Sequence, residues 1–272
     1  MIHFINKNIP KKIIEECIKV YEDKDLFLKI DSRYYDLKEN LLSKNKIQPK
    51  DFYDFINLSK GIGYTNFFYG KQLPNTNMNK MENIFIKDIK CKDYLYIGIK
   101  TFYSGIYLNF HEALKLHKDQ KFLIIDLRNN FGGDVDECIK ICNLLLPKCN
   151  IVEFRYKNRE TIHKSDENKF DFKRIFLMVN NRTASCSEIL TLTLKKHLSN
   201  VAILGNGTAG KFVGQSTFIN KKYNYLFTIS TFQWYVDNET TADLQKYIAI
   251  DNTKNIDFSK DDDYYSNIIN FN

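Results

Sequence analysis

Apolar residues recur at three- and four-residue spacing early in the chain, then switch to continuous and alternating runs. Behind Pro10, the residues Ile13, Ile14, Cys17, Val20 and Tyr21 fall on one face of a 3.6-residue period. This predicts an amphipathic helix over 10–23, with more helix to about residue 59. The stretch GIGYTNFFYGKQLPNTN, 61–77, reads as loop and closes this first part. Strands are then expected at 83–89, 94–101, 122–127, 151–157, 174–180 and 201–204. Helices are expected at 107–118, 134–146 and 187–198. Strands alternating with helices of this length predict an α/β layered fold. After residue 211 the pattern is β again, and STFIN, KKYN and YLFTIS read as a hairpin. The division expected is a helical N-terminal subdomain, 1–75, and an α/β core, 76–272.

Composition narrows the function classes. The chain has 272 residues, is 43% hydrophobic and carries a formal charge of +7 from Lys+Arg 40 against Asp+Glu 33. The basic residues are dispersed, and the longest charge run is acidic, Asp261 to Asp263. Without a basic stripe, no nucleic-acid partner is expected. No run approaches the ~20 apolar residues of a membrane span, and MIHFINKNIPKKIIEE lacks the apolar core of a signal peptide. A cytoplasmic location without a membrane partner is the expectation. The six cysteines are then read as reduced thiols. Cys138 and Cys142 share a helical stripe with Val135, Ile139, Leu145 and Leu146, and cysteine packs there as a small hydrophobe. No CxxC or HExxH pattern points to a metal.

Three segments carry candidate chemistry. In KFLIIDLRNNFGGDVDECIKICNLLLP the run Phe122 to Leu127 suits a strand buried on both faces. A glycine pair follows, then Asp134 and Glu137 at capping-box spacing. The glycines suit a phosphate cradle, an oxyanion hole or a tight turn. In NNRTASCSEILTLTL, 180–194, Ser185, Cys186 and Ser187 stand in a row between a strand and a helix. Ser185 and Glu188 match S-x-x-E, so Ser185 suits either a helix cap or a nucleophile at a helix N-terminus. The third segment, GNGTAGK at 205–211, satisfies two nucleotide-binding patterns. Phe212 stands where a phosphate loop needs Ser or Thr, and FVGQSTFI reads as strand where both patterns need helix. Lys211 has another use. His3, His111, His117, His163 and His197 sit in no serine-partnering pattern, and a desolvated lysine can serve as base.

Together the segments resemble the carboxyl-terminal processing, or tail-specific, serine peptidases. That family carries LRNNPGG-like, SASASE-like and GxxTxGKxxxQ segments in this order. Here they read LRNNFGG (127–133), TASCSE (183–188) and GNGTAGKFVGQ (205–215). The resemblance covers about residues 94–220. It implies a spiral of β-β-α units, as in the crotonase and Clp-protease group, with a helical N-terminal part. It also implies Ser185 as nucleophile, Lys211 as general base, Gln215 as the residue orienting that lysine, and the N–H groups of Gly133 and Cys186 as oxyanion hole. No cofactor or metal is implied, and the substrate is a polypeptide or peptide. Phe131 and Cys186 depart from the family's proline and alanine. Only about 30 residues separate the helical lead-in from the strand at 94, too few for the PDZ domain many members carry. The alternative is a non-catalytic ligand- or peptide-binding protein on the same scaffold.

Overall fold

The computed structural model describes residues 8–59, 65–70, 84–88, 93–166 and 170–250. Three helices come first: α1 (Lys11–Lys24), α2 (Ser32–Ser43) and α3 (Pro49–Ser59). The expected stripe of α1 is inward, with Ile13, Ile14, Cys17, Ile18 and Tyr21 buried. Pro10 precedes the first turn, where its missing N–H costs nothing. Asp31 caps α2 by accepting from the Tyr34 N–H at 3.0 Å.

A six-stranded sheet follows in the order β11-β8-β7-β4-β3-β2. Its strands are β2 (Ile84–Asp88), β3 (Tyr94–Ile99), β4 (Phe122–Asp126), β7 (Arg174–Val179), β8 (Val201–Gly205) and β11 (Ile248–Ile250). All neighbours run parallel except β2 and β3. Helices α4 (Ile106–Leu116), α5 (Val135–Leu145) and α6 (Cys186–His197) build the main core with one face, through Ile97, Leu123, Ile125 and Leu177. Tyr96, Ile124, Phe176 and Met178 cluster on the opposite face. Both faces of β4 are therefore buried, as the unbroken run FLIID predicts. Cys138 and Cys142 are fully buried in the main core.

The second sheet is antiparallel: β1 (Asn66–Tyr69), β10 (Tyr225–Tyr235), β5 (Asn150–Tyr156) and β6 (Glu160–Lys164), with β9 (Val213–Asn220) also on β10. Strand β10 serves two cores. Its first half sends Tyr225, Phe227 and Ile229 among α1, α3 and β1. Its second half sends Phe232 and Trp234 into the main core, and Val236, the residue next after the strand, follows them. The change from odd to even positions follows from a bulge between Ser230 and Phe232, because one extra residue reverses the alternation.

Two segments differ from the sequence reading. Part of the loop expected at 61–77 is strand β1, which forms against β10 and buries Phe67. Strands β6 and β11 were not foreseen, the first lying exposed along β5 and the second spanning only Ile248–Ile250. The subdomain boundary expected near residue 75 lies outside the described residues.

Candidate active site

Strands β4, β7 and β8 are parallel neighbours, so the segments leaving their C-terminal ends meet at one edge of the sheet. This edge is where open α/β sheets place their ligands. The segments are the three motifs of the sequence, and hydrogen bonds stitch them together. Thr183 Oγ1 donates to the Leu127 carbonyl at 2.8 Å, and the Ala184 N–H to the Asn130 carbonyl at 2.9 Å. The Ala209 N–H reaches the Thr183 carbonyl at 2.8 Å.

Asn130 shapes the glycine turn. Its amide donates to the Ile99 carbonyl at 2.9 Å and accepts from the Gly132 N–H at 2.8 Å. Gly132 has φ +98°, and a Cβ there would lie 2.8 Å from Ser185 Cβ. Gly133 has φ +145°, and its Cβ would lie 2.0 Å from the Phe102 carbonyl oxygen. Neither position tolerates a side chain without displacing backbone or Ser185. Gly132→Ala is expected to lower peptide turnover about a hundredfold by pushing Ser185 off its position. Initial rates alongside thermal melting check this, and unchanged turnover would separate the turn from the chemistry.

Ser185 occupies the sharp corner before α6 with φ 57° and ψ −119°. Such a conformation costs a non-glycine residue about 1–3 kcal/mol and persists only where its surroundings hold it. Glu188 is that support. Its Oε2 accepts from the Ser185 N–H at 2.7 Å and the Lys211 N–H at 3.0 Å, and its Oε1 from the Gly210 N–H at 2.8 Å. The carboxylate is fully buried, and burial raises its pKa although these bonds and the Thr208 hydroxyl oppose the rise. The sequence reading took Glu188 only as half of a capping box; in the structure it also ties the Ser185 corner to the Lys211 segment. Glu188→Ala orphans three N–H groups and is expected to cost on the order of 3 kcal/mol. Glu188→Gln, which keeps one acceptor oxygen, should lose distinctly less in chemical denaturation. Equal losses for the two variants would remove this role.

Lys211 lies half-buried just before β9, its Nζ donating to Gln215 Oε1 at 3.0 Å. Burial depresses its pKa below the ordinary 10.5, and the neighbouring Cys186 and Glu188 oppose this only in part. The Trp234 indole N–H donates to the Lys211 carbonyl at 3.1 Å and fixes the backbone there. The glycine-rich 205–211 segment leads into strand β9, not into a helix.

Ser185, Lys211, Gln215, Gly133 and Cys186, expected from separate motifs, all line one cleft of about 490 Å³. Among the described residues neither the Gly133 nor the Cys186 N–H has a hydrogen-bond partner. The Cys186 thiol instead points to the Gly133 carbonyl, with Sγ 3.3 Å from that oxygen. Contact with Cys138 and burial raise its pKa well above the ordinary thiol value. Ser187 is fully buried and donates to the Asn130 carbonyl at 3.3 Å. Tyr156, Phe232 and Trp234 give the cleft an aromatic wall that the motifs did not reveal. Phe131 is exposed at its rim, under the guanidinium of Arg182.

A family model described as Peptidase family S41 matches residues 93–252. A protein of Staphylococcus aureus (strain N315) named "Probable CtpA-like serine protease" is 31% identical over 205 residues, covering 67% of this chain and 41% of that protein. A Staphylococcus epidermidis protein of the same name is 27% identical over 207 residues, covering 66% of this chain and 42% of its own. The chain thus spans about two fifths of the length of these curated relatives. Among solved structures, a lipoprotein from Streptococcus agalactiae superposes with a TM-score of 0.67 at 17% identity, over 85% of this chain and 88% of that one. The family match and the mixed helix-and-sheet architecture bear out the α/β fold of the sequence reading.

Proposed function

Because this chain belongs to peptidase family S41, we propose that it is a serine endopeptidase acting on polypeptides or peptides through a Ser185/Lys211 dyad. The neutral Lys211 amine takes the proton of Ser185 Oγ as that oxygen attacks a peptide carbonyl. The Gly133 and Cys186 N–H groups receive the oxyanion, and the N-terminus of α6 adds its positive end. The Lys211 ammonium then returns its proton to the leaving amine, and the C–N bond breaks to leave an acyl-Ser185 ester. Lys211 next takes a proton from water as the resulting hydroxide attacks the ester; the bond from the acyl carbon to Ser185 Oγ then breaks, the ammonium returns the proton to Oγ, and the acid product leaves. Gln215 keeps the amine aimed by accepting a hydrogen bond from it through Oε1. No cofactor enters this sequence.

One observation carries the reading: a lysine with a depressed pKa shares a cleft with a serine at a strained strand-to-helix corner and with two unused N–H donors. The test is labelling with a fluorophosphonate, followed by mass spectrometry of the modified peptide. A stoichiometric adduct on Ser185 supports the peptidase. An unlabelled protein that cleaves no peptide points to a binding protein on this scaffold.

A further inference from the structure

A second, smaller recess of about 270 Å³ opens beside the cleft. Tyr156 and Ser216 line both. The Tyr156 ring stands 5.2 Å from that of Phe232, part of the cleft's aromatic wall. An extended polypeptide crossing Ser185 therefore has a continuous surface leading past Tyr156 into the recess.

The recess is basic. Lys24 reaches it from the end of α1, and Lys157 and Arg159 from the turn between β5 and β6. Its one acid, Asp23, is engaged by Lys24 at 2.8 Å. Lys157 donates to the Glu22 backbone carbonyl at 2.8 Å, which pins the turn against the C-terminal end of α1. The Glu22 carboxylate is already taken by Lys38 at 2.7 Å and the Tyr34 hydroxyl at 2.8 Å. Arg159 lies over the Tyr156 ring, 4.2 Å from its centroid, and the Tyr156 N–H to Arg159 carbonyl bond of 2.8 Å closes the turn. Among the described residues neither Lys157 nor Arg159 forms an ion pair with a carboxylate within 4.0 Å. Glu22 and Asp23 attract Lys157 from a distance, but the recess lining still sets Lys24, Lys157 and Arg159 against the single acid Asp23, and a carbonyl and a ring hold Lys157 and Arg159 along the path from the cleft. A concave site of one sign concentrates the opposite charge.

We infer that this recess is a specificity site in which Lys157 and Arg159 receive a carboxylate of the polypeptide substrate, on the far side of Tyr156 from the scissile bond. The inference rests on the peptidase reading of the cleft. The carboxylate is either an Asp or Glu side chain or the substrate's terminal α-carboxylate, and the two sources separate experimentally.

The experiment is a fluorogenic peptide series cleaved by the full chain. In one arm Glu replaces Gln at each position in turn; in the other, one peptide is compared as free acid and as amide. At one position Glu should raise kcat/KM about tenfold, mostly through KM, which is the size of one charge-assisted hydrogen bond. The preference should weaken with added salt. Arg159→Glu, and separately Lys157→Glu, should bring the Glu-to-Gln ratio to one or below. A flat side-chain scan with a tenfold drop on amidation assigns the recess to the terminal carboxylate. Cleavage that is indifferent to charge in both arms, or a preference that survives both variants, overturns the inference and leaves the peptidase reading standing. If no peptide is cleaved and Ser185 takes no fluorophosphonate, the peptidase reading falls and this inference with it.

Discussion

Lys211→Arg is expected to leave a folded protein whose peptide turnover has fallen about a thousandfold or more. The substitution keeps the positive charge and a similar stem, but a guanidinium stays protonated and cannot accept the Ser185 proton. The backbone of residue 211 keeps its bonds to Glu188 and Trp234, so the corner has no reason to collapse. Wild-type kcat/KM should rise with pH along one ionisation, because the working form is the neutral amine. Burial disfavours the ammonium, so the midpoint of that rise falls below the ordinary lysine value of 10.5. Stability carries the same sign. The folded state holds this proton less tightly than the unfolded chain, so the Lys211 contribution to stability grows as pH rises from the folded value to 10.5. Removing the amine as Lys211→Met should therefore abolish turnover without lowering the melting temperature at neutral pH. Near-normal turnover by a folded Lys211→Arg variant would remove Lys211 as the base.

The candidate corners were legible in the sequence because each is local. The runs FLIID and RIFLMV end in turns whose residues are spelled out within ten positions, and parallel pairing of β4, β7 and β8 does the rest. What depends on distant partners was not legible. The bonds of Glu188 to Gly210 and Lys211 span 22 and 23 residues, and S-x-x-E is already explained by a helix start. The aromatic wall comes from β5 and β10, whose side chains converge only after both sheets form. Strand β1 offers two phenylalanines and no alternation of its own, so β10 makes it a strand. The expected hairpin stopped at Ser230 because the bulge breaks the alternation there, although β10 runs on to Tyr235.

Ser185→Ala should abolish turnover, by a factor on the order of 10⁴ or more, while Cys186→Ala should retain activity within about threefold of wild type. Chemistry alone would favour the opposite order, since a thiolate forms far more readily than an alkoxide. Position reverses it. One residue along a helix turns a side chain by about 100°, and that step buries the Cys186 thiol beneath the corner, against the Gly133 carbonyl and the Cys138 side chain and beside Ser185. There it is 2% exposed, and Cys138 and burial hold it in the neutral, unreactive form. What Cys186 offers the cleft is its N–H, which alanine also supplies. Another step places Ser187 in the interior, bonded to Asn130. Ser185 alone keeps a half-buried side chain at the corner, with Lys211 and both N–H donors on the same cleft. The serine-directed phosphonate should therefore modify wild type and Cys186→Ala alike and miss Ser185→Ala. Inactivation of wild type by a thiol reagent, together with a dead but folded Cys186→Ala variant, would make the thiol the nucleophile and Ser185 its cap.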